Sequence, residues 1–205
     1  MKIRPLLISC VLGLFLVSCK EVNIVKPDYA KLPAINENGT LNMVVEIPAG
    51  TNHKYEYDYG AKEFRIETIN GNERVVDFLP YPGNYGFIPS TLMDKDRGGD
   101  GDALDILLIS ESLPTGSVAE VIPIGAILLL DNGEIDTKIV AVPLDTLQNV
   151  IDARSYQVFF IEYDAAKRII EEWFTHYKGN RQVELIGWRD DSFAWREVEK
   201  WQVAQ

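Results

Sequence analysis

The sequence predicts an α+β fold, mainly β, built around a small barrel with flanking helices. Three observations carry that expectation. Short apolar or alternating runs recur between Gly, Pro, Asn and Asp punctuation, as strands joined by tight turns do. One segment alone carries strong helical periodicity, and a second, weaker helical pattern closes the chain. At 205 residues and 46% hydrophobic content the chain can bury one good core, and its length favours one domain.

Taken in order, "LNMVVEIPA" is an apolar strand ending at Pro48, and "HKYEYDY" alternates aromatic and charged residues. A strand sets Lys54 and Glu56 on one face and Tyr55 and Tyr57 on the other. "KEFRIETI", "DILLIS", "SVAEVIPIGAILLL", "KIVAVP" and "QVELIGW" continue the strand series, while "FLPYPGNYGFIPSTL" reads as a Pro- and Gly-rich loop. "EYDAAKRIIEEWFTHYKGN" predicts the strong helix, with Ala166, Ile169, Ile170, Trp173, Phe174 and Tyr177 at helical spacing and Gly179 as a terminating residue. "DSFAWREVEKW" predicts the last helix, capped by Asp191, with Trp195 and Trp201 available to a core or to a homo-oligomer interface.

The N-terminus has its own logic. A basic start at Lys2 and Arg4, then an apolar run from Leu6 to Val17, is too short to span a bilayer and reads as an export signal over residues 1–18. "LVSC" resembles a bacterial lipobox, in which Cys19 is lipidated and becomes the mature N-terminus. Lys20 after it leans toward the outer membrane, facing the periplasm. Cys10 and Cys19 are the only cysteines, so with Cys19 acylated the mature chain has no thiol for a disulfide or a cysteine-metal site. Residues 19–40 read as a polar, proline-punctuated tether, and residues 41–205 as the folded domain. With a formal charge of −11, nucleic acid is excluded as a direct partner, and the membrane is reached through the lipid alone.

Chemistry concentrates in "RGGDGDALDIL", where Asp100, Asp102 and Asp105 crowd together ahead of an apolar run. Two carboxylates about 4 Å apart repel by about 4 kcal/mol at an effective dielectric near 20. Three in one loop spread into water, take up protons or hold cations. Carboxylate oxygens suit Mg²⁺, Mn²⁺ and Ca²⁺. An EF-hand is excluded, because the flanks read as loop and strand, the fifth position is Gly98 and the last is Asp105 rather than Glu. His53 and His176 stand too far apart in sequence to argue a histidine metal site, and the chain shows no P-loop pattern.

In sequence order "VVEIPAG", "HKYEY", "YPGNYGFIPSTL", "GDGDALDIL", "DNGEIDTK", "IVAVP" and "HYKG" resemble the family I soluble inorganic pyrophosphatases, with "DGDALD" fitting that family's Asp-X-Asp-X-X-Asp signature. The resemblance implies a distorted five-stranded, OB-like barrel with flanking helices and Mg²⁺-dependent hydrolysis of pyrophosphate, with Mn²⁺ as a substitute. It implies that Asp100, Asp105 and Asp136 bind the metals nearest the attacking water, and that Asp102 is the general base. The resemblance likewise assigns Glu46 and Asp131, again with Asp136, to the metals on the substrate side. It implies that Lys54, Arg74, Tyr85, Lys138, Tyr177 and Lys178 hold pyrophosphate oxygens, with Tyr81 close by and Glu56 in an outer polar network. Arg65 competes with Arg74 for the arginine role. Asn132 stands where the family often carries an acid, and residues 95–99 lengthen the acidic loop. The competing reading is a non-catalytic envelope lipoprotein that binds calcium or a phosphorylated ligand; a third is hydrolysis of longer polyphosphates or nucleotides.

Overall fold

The computed structural model describes residues 27–179 and 183–203. In chain order it forms β1 (Leu41–Ile47), β2 (Tyr55–Asp58), β3 (Glu63–Ile66), β4 (Thr68–Ile69), β5 (Asn72–Glu73), β6 (Asn84–Phe87), β7 (Asp105–Leu108), β8 (Val118–Asp131) and β9 (Glu134–Pro143). Helices α1 (Tyr156–Glu162) and α2 (Asp164–His176), strand β10 (Val183–Arg189) and helix α3 (Asp191–Trp201) complete it. Hydrogen bonding runs β1-β6-β7-β9-β8, and β8 returns to β1, so five strands close a ring and β10 adds to its outside on β8. Closure leaves those five strands no free edge to aggregate. Among the described residues only β7 and β9 pair in parallel; β2 with β3, and β4 with β5, form separate two-stranded sheets.

Strand β8 explains the ring. At 14 residues it is long enough to pair β1 through its first half and β10 through its second, with β9 along most of its length. Its run from Ile124 to Leu129 is apolar on both faces because both are covered. Ala126 and Leu128 join a core with Leu41, Met43, Ile106, Ile139 and the buried side of α3. Ile124, Ile127 and Leu129 join another with Val140, Val142, Phe159, Ile170, Trp173 and Phe174 under α1 and α2. Two hairpins turn on Asn-Gly pairs. Asn132-Gly133 closes β8 on β9 with φ of 51° and 90°, and Asn70-Gly71 closes β4 on β5 with φ of 53° and 80°. Positive φ at both central residues is what a tight hairpin needs, and Asn and Gly accept it at least cost.

The structure corrects several expectations. The strong helical segment is α2, and a second helix that the sequence reading lacked, α1, precedes it, set off by Tyr163, which leaves helical geometry (φ −115°, ψ 31°). Ile169 points outward, while Ile170, Trp173 and Phe174 face the core. The cap of α3 is Asp190, whose carboxylate accepts from Phe193 N–H at 2.8 Å, one residue ahead of the expected Asp191. Trp201 is core, and Trp195 packs against that core. The stretch read as a loop contains β6, all four of whose residues are buried.

Residues 27–40 are no free tether. A 3₁₀ turn at Tyr29–Lys31 is followed by Ala34, which is fully buried, and a bridge joins Ile35 to Leu41. The export signal, Cys19 and the first part of the tether lie outside the described residues. Among the described residues no helix is long and apolar enough to cross a membrane.

Candidate active site

Strand direction carries distant acids to one mouth of the barrel. Glu46 comes from the end of β1, Asp105 opens β7, Asp131 closes β8 and Asp136 lies just across the hairpin on β9. The loop ahead of β7 adds Asp100 and Asp102. It is folded back by bonds from Gly101 N–H to Met93 O (2.7 Å) and from Met93 N–H to Asp102 O (2.7 Å). All six line one cavity of about 360 Å³. Its remaining polar walls are Lys54, Glu56, Arg74, Tyr81, Tyr85, Lys138, Tyr177 and Lys178, so every predicted site residue of the folded domain opens on the same space. Arg65 does not; its guanidinium pairs with Asp58 (3.2 Å) and Glu63 (3.4 Å).

Lys138 organises the floor. The parallel register places it beside Asp105. Its ammonium donates to Asp105 Oδ2 (2.7 Å), Asp136 Oδ1 (2.8 Å) and Tyr85 Oη (2.9 Å), using all three of its protons. Burial works against its charge, but the two carboxylates outweigh it and hold the ammonium protonated well above the usual lysine range. Burial, with the charge of Asp105 beside it, likewise keeps the Tyr85 phenol protonated.

At one rim Lys178 pairs with Asp131. At the other, Glu67 binds both Arg74 Nη1 (2.6 Å) and Lys54 Nζ (3.1 Å), and Lys54 also pairs with Glu56. Glu67 is only partly buried; desolvation works to raise its pKa, but the two cations outweigh that and lower it. Aromatic rings back this wall, with Tyr81 against Trp173 (4.3 Å) and Tyr177 stacked on Trp173 (4.8 Å, 12°).

Glu46, Asp100 and Asp102 have no cationic partner among the described residues. Burial pushes the Glu46 carboxyl up to about 8, against one bond accepted from Tyr57 N–H at 2.7 Å. Burial also raises Asp100 and Asp102, and their mutual crowding with Asp105 adds to it. These are carboxylates short of positive charge. Among the described residues no three His, Cys, Asp or Glu side chains converge closely enough to ligate a single ion. The Lys138 ammonium already sits between Asp105 and Asp136. The donors are nonetheless all oxygen and face one cleft, the ligand chemistry that suits hard divalent cations.

Three residues escaped the sequence reading. Glu67 ties two cavity-lining cations together, and its signal was the Asn70-Gly71 hairpin that folds Arg74 back onto it (Arg74 N–H to Glu67 O, 2.7 Å). Tyr57, which orients Glu46, and Tyr59, on the cavity wall, belong to an aromatic cluster with no local signature. Asn132 stands in the exposed hairpin turn and donates to Asp131 Oδ1 (3.0 Å).

A closed OB-like barrel whose mouth combines surplus carboxylates with lysine, arginine and tyrosine donors defines a protein that handles a polyanion together with cations. The family model for inorganic pyrophosphatase matches residues 43–204, and the chain belongs to that family. The chain is 36% identical over 169 residues to the inorganic pyrophosphatase of Synechocystis, spanning 80% of this chain and 90% of that protein. It is 37% identical over 161 residues to that of Neisseria meningitidis serogroup B, covering 76% and 84%. The crystal structure of inorganic pyrophosphatase from Thermus thermophilus superposes with a TM-score of 0.71 at 31% identity, covering 84% of this chain and 95% of that one.

Proposed function

We propose that this chain hydrolyses inorganic pyrophosphate to two phosphates at the barrel mouth, with Mg²⁺ as the resident cofactor and Mn²⁺ able to replace it. The observation that carries the reading is the cleft's mixed charge: uncompensated carboxylates and a set of lysine, arginine and tyrosine donors face the same 360 Å³. A cation buffer gains nothing from those donors. A plain anion site gains nothing from the acids.

Glu46, Asp100, Asp105, Asp131 and Asp136 would hold the cations. When bound, these supply charge that offsets the negative pyrophosphate and acidifies water in their coordination shell. Lys54, Arg74 and Lys178, with the hydroxyls of Tyr85 and Tyr177, grip phosphate oxygens and stabilise charge as it moves onto the departing phosphate, and Lys138 joins them as cations held by Asp105 and Asp136 free its protons. Tyr81 packs behind Tyr85, and Glu56 and Glu67 hold Lys54 in reach of the substrate. Asp102, which makes no ion pair among the described residues and whose proton affinity is raised by burial, accepts the proton of the attacking water as the bond from phosphorus to the bridging oxygen breaks. Phosphate release from pyrophosphate with and without Mg²⁺ tests the activity. Binding of Ca²⁺ or a phosphorylated ligand without phosphate release would replace it with the envelope binding protein.

We place the protein in the cell envelope, exported and anchored through a lipid on Cys19, in the outer membrane facing the periplasm. The basic start, short apolar run and lipobox-like "LVSC" support this. Replacing Cys19 with alanine moves the protein from the membrane to the soluble fraction if the anchor is real; unchanged fractionation rejects it.

A further inference from the structure

We infer that the segment from Asp28 to Asn36 is a strap that positions the β2–β3 hairpin and Glu46, with Tyr29 as its key residue. This deepens the pyrophosphatase reading and rests on it. The hairpin contributes Glu56 to the cleft, with Lys54 immediately before β2, yet among the described residues no ladder of hydrogen bonds joins it to the barrel. Something else must hold its distance from the aspartates.

Tyr57, in the middle of β2, is the hub. In front, its N–H donates to Glu46 Oε1 at 2.7 Å. Its ring stacks on Phe87 of β6 (5.9 Å, 26°). Behind, its hydroxyl accepts from Tyr29 N–H at 3.3 Å, and the Tyr29 ring packs edge-on against both Tyr57 (5.5 Å) and Phe64 of β3 (5.1 Å). Asp28 pairs with Lys62 in the hairpin turn at 2.8 Å.

The strap is fastened to the barrel at its other end. Ser90 donates from its N–H to Ala30 O (3.1 Å) and from its hydroxyl to Leu32 O (2.8 Å). Asn42 of β1 donates from its N–H to Ala34 O (2.8 Å) and from its side chain to Pro33 O (2.8 Å). One short segment thus spans the hairpin, the strand carrying Glu46 and the loop after β6. It lies ahead of residue 43, where the family match begins, so no motif of the active site announces it. Tyr29 is a positioning residue: it touches neither substrate nor ion, and it acts through Tyr57 on Glu46 and through the hairpin on Lys54.

The test uses the full chain. Tyr29→Ala should raise both the Mg²⁺ half-saturation and the pyrophosphate KM by about tenfold, a typical cost of losing outer support for a metal ligand. Turnover at saturating Mg²⁺ and substrate should stay within about threefold. Tyr29→Phe, which keeps ring and amide, should restore wild-type values. Mg²⁺ binding measured by calorimetry without substrate should weaken in step. Should Tyr29→Ala not fold, Tyr29→Leu is read by the same four measurements. A variant with a lower Tm but unchanged KM and Mg²⁺ affinity would reduce the segment to mere stabilisation and overturn the strap. A wild type that releases no phosphate would instead sink the pyrophosphatase reading and the strap with it.

Discussion

The Lys138 ammonium can be removed cleanly by Lys138→Met, which keeps the length of the stem and deletes the charge. Its partners stand at 2.7 and 2.8 Å on Asp105 and Asp136, and its side chain is 4% exposed. Two carboxylates left facing each other across the vacated position repel by about 4 kcal/mol at 4 Å and an effective dielectric near 20. Breaking a buried pair by deleting one partner costs about 3–5 kcal/mol. Asp105 and Asp136 keep some access to water, 29% and 16%, so the lower end applies. At about 2–4 °C per kcal/mol for a chain of this size, about 3 kcal/mol lowers the metal-free Tm by about 6–12 °C. Mg²⁺ should then stabilise the variant more than the wild type, because the ion takes over charge that the ammonium had been offsetting. Thermal unfolding with chelator and with Mg²⁺, followed by circular dichroism, measures both. A metal-free drop below about 2 °C, or equal stabilisation of the two proteins by Mg²⁺, would refute the electrostatic account of the floor.

Three further outcomes follow from the cleft. Asp102→Asn should keep the fold while lowering turnover by roughly 10²–10⁴, the range for a lost proton acceptor; near-normal phosphate release would remove Asp102 from that role. Glu46 sets a pH dependence of stability. Its carboxyl titrates near 8 in the folded chain against 4.5 ordinarily, so between those values the native state keeps a proton the unfolded chain has released. Its contribution is complete below about pH 4.5 and is lost as pH rises through 8. Urea midpoints of metal-free protein should therefore fall over that window, and Glu46→Gln should flatten the fall; identical profiles would contradict the assignment. Finally, Arg74→Ala should raise the pyrophosphate KM by about tenfold or more, as the loss of a charge-assisted contact implies. Arg65→Ala should leave KM within about twofold, since its guanidinium serves Asp58 and Glu63 outside the cleft. Steady-state assays on both variants decide between them.

What could be read early was local. Asp100, Asp102 and Asp105 are neighbours in the chain, Asp131 and Asp136 sit on the two arms of one tight hairpin, two positions out of register, and Tyr177-Lys178 follows directly on a periodic helix. Helix α1 and strand β6 were not legible for a physical reason: both are short, and β6 is buried on every residue, so neither shows an amphipathic alternation.

By itself the sequence determined the mainly β character, the hairpins set by Asn-Gly, the capped last helix and the charge types available for cation and phosphate chemistry, because propensity, turn geometry and charge act over a few residues. Only tertiary structure decided that Lys138 bridges Asp105 and Asp136, a consequence of parallel pairing between strands far apart in the chain. It set Arg74 on the cavity wall, where Glu67 pairs with it, and left Arg65 off that wall, and it packed part of a polar N-terminal stretch behind the strand pair that carries Tyr57. Those outcomes depend on where barrel closure carries each backbone segment, and closure is a property of all five strands together.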